Sequence, residues 1–226
     1  MMKTEVEINP DVYKEQDYMK NIKLMAFDMD GVLLKNRNSW DVIMNSVYGI
    51  EKNDDKMVYT FEYLYENNIH ESIYAYISES LIKKCFKLNN LSENVYRTMQ
   101  VLKSRGIKTA IVSAGSSVFA NYLKDIFDFD YAVGNEIDYR NKIFVKKVDP
   151  LKKDINIRDI QKKFGYTMEN TISVGDSIMD LSMKKESKYF VAFNPSNKEM
   201  LKSSDFVVNS QNLYDIIRIL NINSGV

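Results

Sequence analysis

The chain has 226 residues, 45% of them hydrophobic, with Lys+Arg and Asp+Glu balanced at 31 each. That length supports a full core, and a formal net charge of zero excludes a strong basic field for nucleic acid or an anionic membrane as principal partner. One cysteine, Cys85, excludes an internal disulfide or a multi-cysteine metal cluster and points to a reducing compartment.

Residues 1–21 form a polar extension that mixes both charges before any apolar run and does not read as a secretory signal. No run of about 18 apolar residues marks a membrane helix, so the expected location is cytoplasmic. "IKLMAF", Ile22–Phe27, predicts a short buried strand that ends in "DMDG". A carboxylate left at the end of such a strand costs roughly several kcal/mol unless a cation or hydrogen bonds compensate it. Asp28 and Asp30 therefore call for positive charge nearby.

From Asn38 to Asn90 the chain changes character: it has no Pro, one Gly (Gly49), and many aromatics. Ile73, Ile77, Leu81 and Cys85 recur at helical spacing, which predicts a helical insertion. His70, the only histidine, falls here and reads as a solvated loop residue. "LSENVYRTMQVLKSRGI" predicts a helix capped by Ser92, with Val95, Met99 and Leu102 as its apolar stripe and Gly106 as its stop. Strand-like and helical runs then alternate: "KTAIVSAG", a helix from about Ser116, a hairpin in "YAVGNEIDYRNKIFVKK", "LKKDINIRDIQKKF", "NTISVGDS", "IMDLSMKK", "YFVAFNP", "DFVVN" and "NLYDIIRIL". Such alternation predicts an α/β protein, a parallel sheet covered by helices on both faces.

Open parallel sheets bind ligands at the carboxyl ends of their strands. Three predicted strands end in polar residues: Asp28 and Asp30, Ser113, and Asp176. Two carboxylates joined by a third from a distant strand make a hard, oxygen-rich pocket that suits Mg²⁺. On an extended chain, side chains two residues apart return to one face. The Asp-x-Asp spacing thus lets both carboxylates address one group.

"DMDGV", "SAG", an upstream lysine and "VGDSIMD" follow one another in the order of the four motifs of the haloacid dehalogenase-like (HAD) superfamily. Over roughly Ile22–Asn194 the chain most resembles its phosphoserine phosphatase-like branch. The resemblance implies a doubly wound (Rossmann-like) α/β core built from residues 1–37 and 91–226, with residues 38–90 inserted as an α-helical cap. It also implies a Mg²⁺-dependent phosphomonoester phosphatase acting on a small phosphorylated metabolite through an aspartyl-phosphate.

By position, Asp28 matches the nucleophile and Asp30 the acid/base whose carbonyl also ligates the metal. Ser113, with the amides of Ala114 and Gly115, matches the phosphoryl-binding motif near a helix start, where Ser113 also reads as an N-cap. Among Lys146, Lys147, Lys152 and Lys153, the last best fits the third motif, 23 residues before Asp176 at the opening of a helix; Lys152 is next. Asp176 matches a metal ligand beside Asp28 and Asp30. Asp180, one turn later, reads as a residue that holds a metal-bound water or orients Lys153, or as an ordinary first-turn acid. Asn194 reads as a group at the rim of the site or as a turn asparagine before proline.

Two departures bear on substrate. Seven residues after Asp30 the branch carries a glutamate that meets the substrate amine, and this chain has Arg37. Met179 stands where the last motif has an asparagine. A guanidinium at position 37 suits a second anionic group on the substrate. Two other functions use similar motifs: a phosphomutase that returns the phosphoryl group to a sugar, and a non-enzymatic receiver-like module phosphorylated on aspartate.

Overall fold

The apolar run Leu24–Phe27 is wholly buried on both of its faces, which only a strand in the middle of a covered sheet achieves. This computed structural model describes residues 5–10, 12, 18–35, 38–40, 80, 90–138, 140–141, 143–195 and 197–220. Nearly all of the expected cap, with His70 and Cys85, and also Arg37, lies outside the described residues.

Among the described residues the strands are β1 (Glu5–Ile8), β2 (Leu24–Phe27), β3 (Lys108–Ser116), β4 (Tyr131–Asp138), β5 (Ile143–Val145), β6 (Thr171–Gly175), β7 (Tyr189–Phe193) and β8 (Phe206–Asn209). They form one sheet in the order β1-β8-β7-β6-β2-β3-β4-β5. The six inner strands are parallel, as expected, while β1 and β5 pair antiparallel at the two edges. The predicted hairpin is the β4–β5 pair. The N-terminal extension, unreadable from its polarity, supplies β1 through the register Glu5↔Asn209 to Ile8↔Phe206.

Helices α1 (Val95–Ser104), α2 (Ser117–Phe127), α3 (Lys153–Phe164), α4 (Lys198–Ser203) and α5 (Asp215–Leu220) fill the connections. No helix among the described residues is long and apolar enough to cross a membrane. The stripe Val95, Met99, Leu102 is buried as the sequence predicts, and Gly106, at φ +70°, ends α1. Ser92 is not its cap. That place falls to Asn94, and the Ser92 hydroxyl instead donates to the carbonyl of Val32 at 2.6 Å, tying the start of α1 to the loop after β2. "IMDLSMKK" winds as a 3₁₀ segment, Ile178–Glu186, rather than an α-helix.

Period-two alternation sorts the core into two clusters, one per face. Met25, Phe27, Ile111, Val174 and Val191 pack with α1, α2 and α5. Leu24, Ala26, Ala110 and Val112 pack with Ile157 and Ile160 of α3 and with Met183. Each fully buried large aliphatic or aromatic side chain contributes about 1.5–3 kcal/mol, so both faces hold the strands in register. From β2 the chain winds outward through β3 and β4, then crosses back to place β6 on the other side of β2. That reversal opens a crevice at the carboxyl end of β2.

Candidate active site

Two residues beyond Ala26, the side chain of Asp28 returns to the face that α3 covers, and the Asp28 amide continues the sheet by donating to the carbonyl of Val174 at 2.9 Å. α3 meets that face with the stripe Lys153, Ile157, Ile160, Gln161. Lys153 is the first residue of this stripe, so burying the two isoleucines carries its side chain under the strand ends. Its ammonium donates to Oδ1 of Asp28 at 2.7 Å and to Oδ1 of Asp180 at 2.6 Å. Lys153 is 3% exposed, Asp28 4% and Asp180 0%. Lys152 is the N-cap residue of α3, its side chain exposed, so it is not the lysine that meets these carboxylates.

Asp180 is held from below. Its Oδ2 accepts from the amides of Asp176 (3.1 Å) and Ser177 (3.0 Å) and from the Ser177 hydroxyl (3.0 Å), forming a capping box on the 3₁₀ segment. With Oδ2 accepting from three donors and Oδ1 from Lys153, Asp180 is fixed in orientation against the ammonium. Both roles read for it from the sequence, first-turn acid and partner of Lys153, hold together. Gly175 makes this possible, because any side chain there would run into the Asp180 side chain.

Asp28, Asp176 and Asp180 offer oxygens that lie within 4.8 Å of one another, all three residues buried. Three carboxylates against one ammonium leave two negative charges in excess. Burial pushes the Asp28 carboxyl well above its usual range; Lys153 opposes this, while Asp180, Asp176 and Asp30 reinforce it. Burial alone would lower Lys153, but the charges of Asp180 and Asp28 outweigh it and raise the ammonium above its ordinary value, so it stays protonated. The cluster is short of positive charge, and its all-oxygen donor set fits Mg²⁺. Asp176 presses against Gly31, whose φ of +83° and missing side chain admit its carboxylate.

Ser113 is buried inside β3, which runs on to Ser116 instead of ending at Ser113 as the sequence predicts; it accepts from the amide of Gly115 at 2.9 Å, which leaves its hydroxyl proton to donate elsewhere. The N-cap of α2 is Ser116, not Ser113. The Gly115 amide, expected to face a ligand, is turned to Ser113 in this structure. The Ala114 carbonyl accepts from Asn135 Nδ2 at 2.8 Å and from Trp40 Nε1 at 3.2 Å. Asp30 accepts from the Ser39 hydroxyl at 2.8 Å. Asn194, at φ +48°, has its amide committed to Ser210: Nδ2 donates to the Ser210 carbonyl at 2.6 Å and Oδ1 accepts from its amide at 2.9 Å. That is the turn asparagine; its side chain joins the loops after β7 and β8.

Sequence reasoning missed Ser39, Trp40, Asn135, Ser177 and Ser182. Ser182 accepts from the Lys153 amide at 3.0 Å and so anchors the start of α3. Asn135 accepts from the amides of Lys147 and Val148, both at 2.9 Å, and so joins the Ser113–Gly115 end of β3 to the approach to α3. Asn135 carried a readable signal, a buried amide inside a strand, which demands partners. Ser177 carried one too, the Ser-x-x-Asp spacing of a capping box; Ser39 and Ser182 carried none.

A model of the haloacid dehalogenase-like hydrolase family matches residues 25–185. A phosphoserine phosphatase of Methanocaldococcus jannaschii is 26% identical over 214 residues, 89% of this chain and 99% of that protein. One from Archaeoglobus fulgidus is 30% identical over 148 residues, 63% of this chain and 42% of its own length, so the chain spans less than half of that relative. Among solved structures, a phosphoserine phosphatase in apo form has the same fold, with a TM-score of 0.70 at 23% identity, covering 87% of this chain and 98% of that one. The matched span runs from the strand that leads into Asp28 to the 3₁₀ segment that carries Asp180, and the chain belongs to the haloacid dehalogenase-like hydrolase family.

Proposed function

We propose that this protein is a Mg²⁺-dependent phosphatase that hydrolyses a small phosphomonoester through an aspartyl-phosphate on Asp28. The observation that carries the reading is the buried Asp28–Lys153–Asp180 array beside Asp176. It sets a carboxylate against a fixed ammonium, with two further buried carboxylates whose oxygens lie within 4.8 Å. Asp28, Asp176 and the carbonyl of Asp30 would hold Mg²⁺, which when bound neutralises phosphoryl oxygens and aligns the phosphorus with the nucleophile.

An Oδ oxygen of Asp28 attacks phosphorus and the ester P–O bond breaks. Asp30 gives its proton to the departing alkoxide. The carboxylate so formed takes a proton from water, whose oxygen attacks the phosphorus of the aspartyl-phosphate. The bond to Asp28 then breaks and inorganic phosphate leaves. Throughout, Lys153 balances the charge that builds on Asp28 and on the phosphoryl oxygens, and the Ser113 hydroxyl donates to a phosphoryl oxygen.

Relatives named phosphoserine phosphatases support a small phosphorylated metabolite as substrate. Arg37 supports one with a second anionic group and no required amine. Phosphoglycolate has that chemistry, and a phosphoglycolate phosphatase of Staphylothermus marinus is 34% identical over 64 residues, 28% of this chain. The expected setting is the cytoplasm, with neither nucleic acid nor membrane as partner. Residues 38–90 serve as the cap that selects the substrate.

Purified protein should hydrolyse p-nitrophenyl phosphate with Mg²⁺, stop on chelation and recover on Mg²⁺ addition. A panel with phosphoserine and phosphoglycolate should favour the latter. A rate untouched by chelation defeats the site assignment, and a requirement for a sugar bisphosphate activator favours the phosphomutase.

A further inference from the structure

The root of the inserted segment enters the active site at two points. Ser39, 0% exposed, donates its hydroxyl to Oδ2 of Asp30 at 2.8 Å. Trp40, the only tryptophan, is buried next to it and donates its indole N–H to the carbonyl of Ala114 at 3.2 Å. The turn that presents both is braced by the Trp40 amide donating to the Asn38 side chain at 3.0 Å, and the indole packs on Phe144 with ring centroids 5.6 Å apart. Gly115 closes the junction: a side chain there would stand 2.5 Å from Ser39 Oγ and 2.7 Å from Asp30 Oδ2. The contact is thus built from three separate stretches of chain.

We propose that Ser39 is a positioning residue for Asp30, held in place by Trp40, and that the root of the inserted segment thereby sets the direction of proton transfer. The proposal rests on the phosphatase reading above. A carboxyl group has a broad, two-fold torsional preference about its last bond, so on its own it does not select one direction. A hydroxyl donating to Oδ2 fixes the plane of the group and with it the direction in which Oδ1 points. Proton transfer needs that oxygen within hydrogen-bond reach of the leaving oxygen. Trp40 fixes Ser39 relative to the Ser113–Gly115 segment of β3, so the proton donor and the phosphoryl-binding segment share one anchor.

Leaving-group dependence provides the test. p-Nitrophenyl phosphate departs as a stable phenolate and needs little protonation, whereas p-nitrobenzyl phosphate, of similar shape, departs as a basic alkoxide and needs the acid. In Ser39→Ala, kcat/KM for the benzyl ester should fall at least about tenfold, while that for the phenyl ester changes less than about threefold. Ser39→Cys, which keeps the volume with a weaker donor, should fall between, and Trp40→Phe should repeat the selective loss in weaker form. Asp30→Asn should show it most strongly. Equal losses on both esters in Ser39→Ala, with Asp30→Asn still selective, would overturn the role of Ser39 and leave the phosphatase reading standing. Absence of hydrolysis of either ester by the unaltered protein would defeat that reading and this proposal with it.

Discussion

Lys153 and Asp28, 125 residues apart in sequence, meet as a buried ion pair with Nζ 2.7 Å from Oδ1. The same ammonium holds Asp180 at 2.6 Å, so one cation serves two buried carboxylates. Breaking a buried pair by removing one partner typically costs about 3–5 kcal/mol, because a desolvated charge is left behind.

Lys153→Met should therefore destabilise the metal-free protein by about 3 kcal/mol, read from urea unfolding, and lower kcat/KM at least about 100-fold. Lys153→Arg should not restore activity, since the planar guanidinium does not fit a site shaped around a compact ammonium. A variant with full activity would show that the ion pair is structural only.

Asp28→Asn should remove hydrolysis and yet raise the melting temperature of the chelated protein at neutral pH. The folded-state pKa of Asp28 lies above its unfolded value, burial being the main cause. The stability linked to its proton is then fully present below the ordinary carboxylate range and lost as pH rises through the folded value. The gain from asparagine should be largest at neutral pH and vanish in acid. Thermal melts with chelator across pH 3–8 in about unit steps check the sign; a gain that grows toward acid would contradict it.

Gly31→Ala tests the packing of the nucleophile loop. Its φ of +83° costs an L-residue about 1–2 kcal/mol, and the added methyl meets the Asp176 carboxylate. Stability should fall by about that amount, and apparent Mg²⁺ affinity by about tenfold or more, measured by titration calorimetry. Asp176→Asn should weaken Mg²⁺ binding without the backbone penalty.

Arg37→Glu should raise KM for phosphoglycolate by about tenfold, or 1.4 kcal/mol, with kcat much less affected. Steady-state kinetics on phosphoglycolate and phosphoserine decide this. An unchanged KM, or phosphoserine as the better substrate of the unaltered protein, would remove Arg37 from recognition.

Periodicity along the chain determined the α/β class, the buried strand before Asp28 and the β4–β5 hairpin, because alternation and helical stripes are local properties. The family resemblance, through a motif lysine at a helix start 23 residues before Asp176, favoured Lys153 over Lys146, Lys147 and Lys152; the structure adds that Lys153 shares the buried face of Ile157 and Ile160. Only the tertiary structure decided which donors each carboxylate meets. Lys153 reaches Asp180 from 27 residues away, through the packing of α3 on the sheet. Ser39 is one serine among many until the crossover from β2 delivers it to Asp30. Strand β1 alternates polar and apolar residues, and its place at the sheet edge is set by pairing with β8. The contacts of Lys153 with Asp28 and Asp180 and the pairing of β1 with β8 depend on strand order and register across the whole sheet, which no window of neighbouring residues encodes.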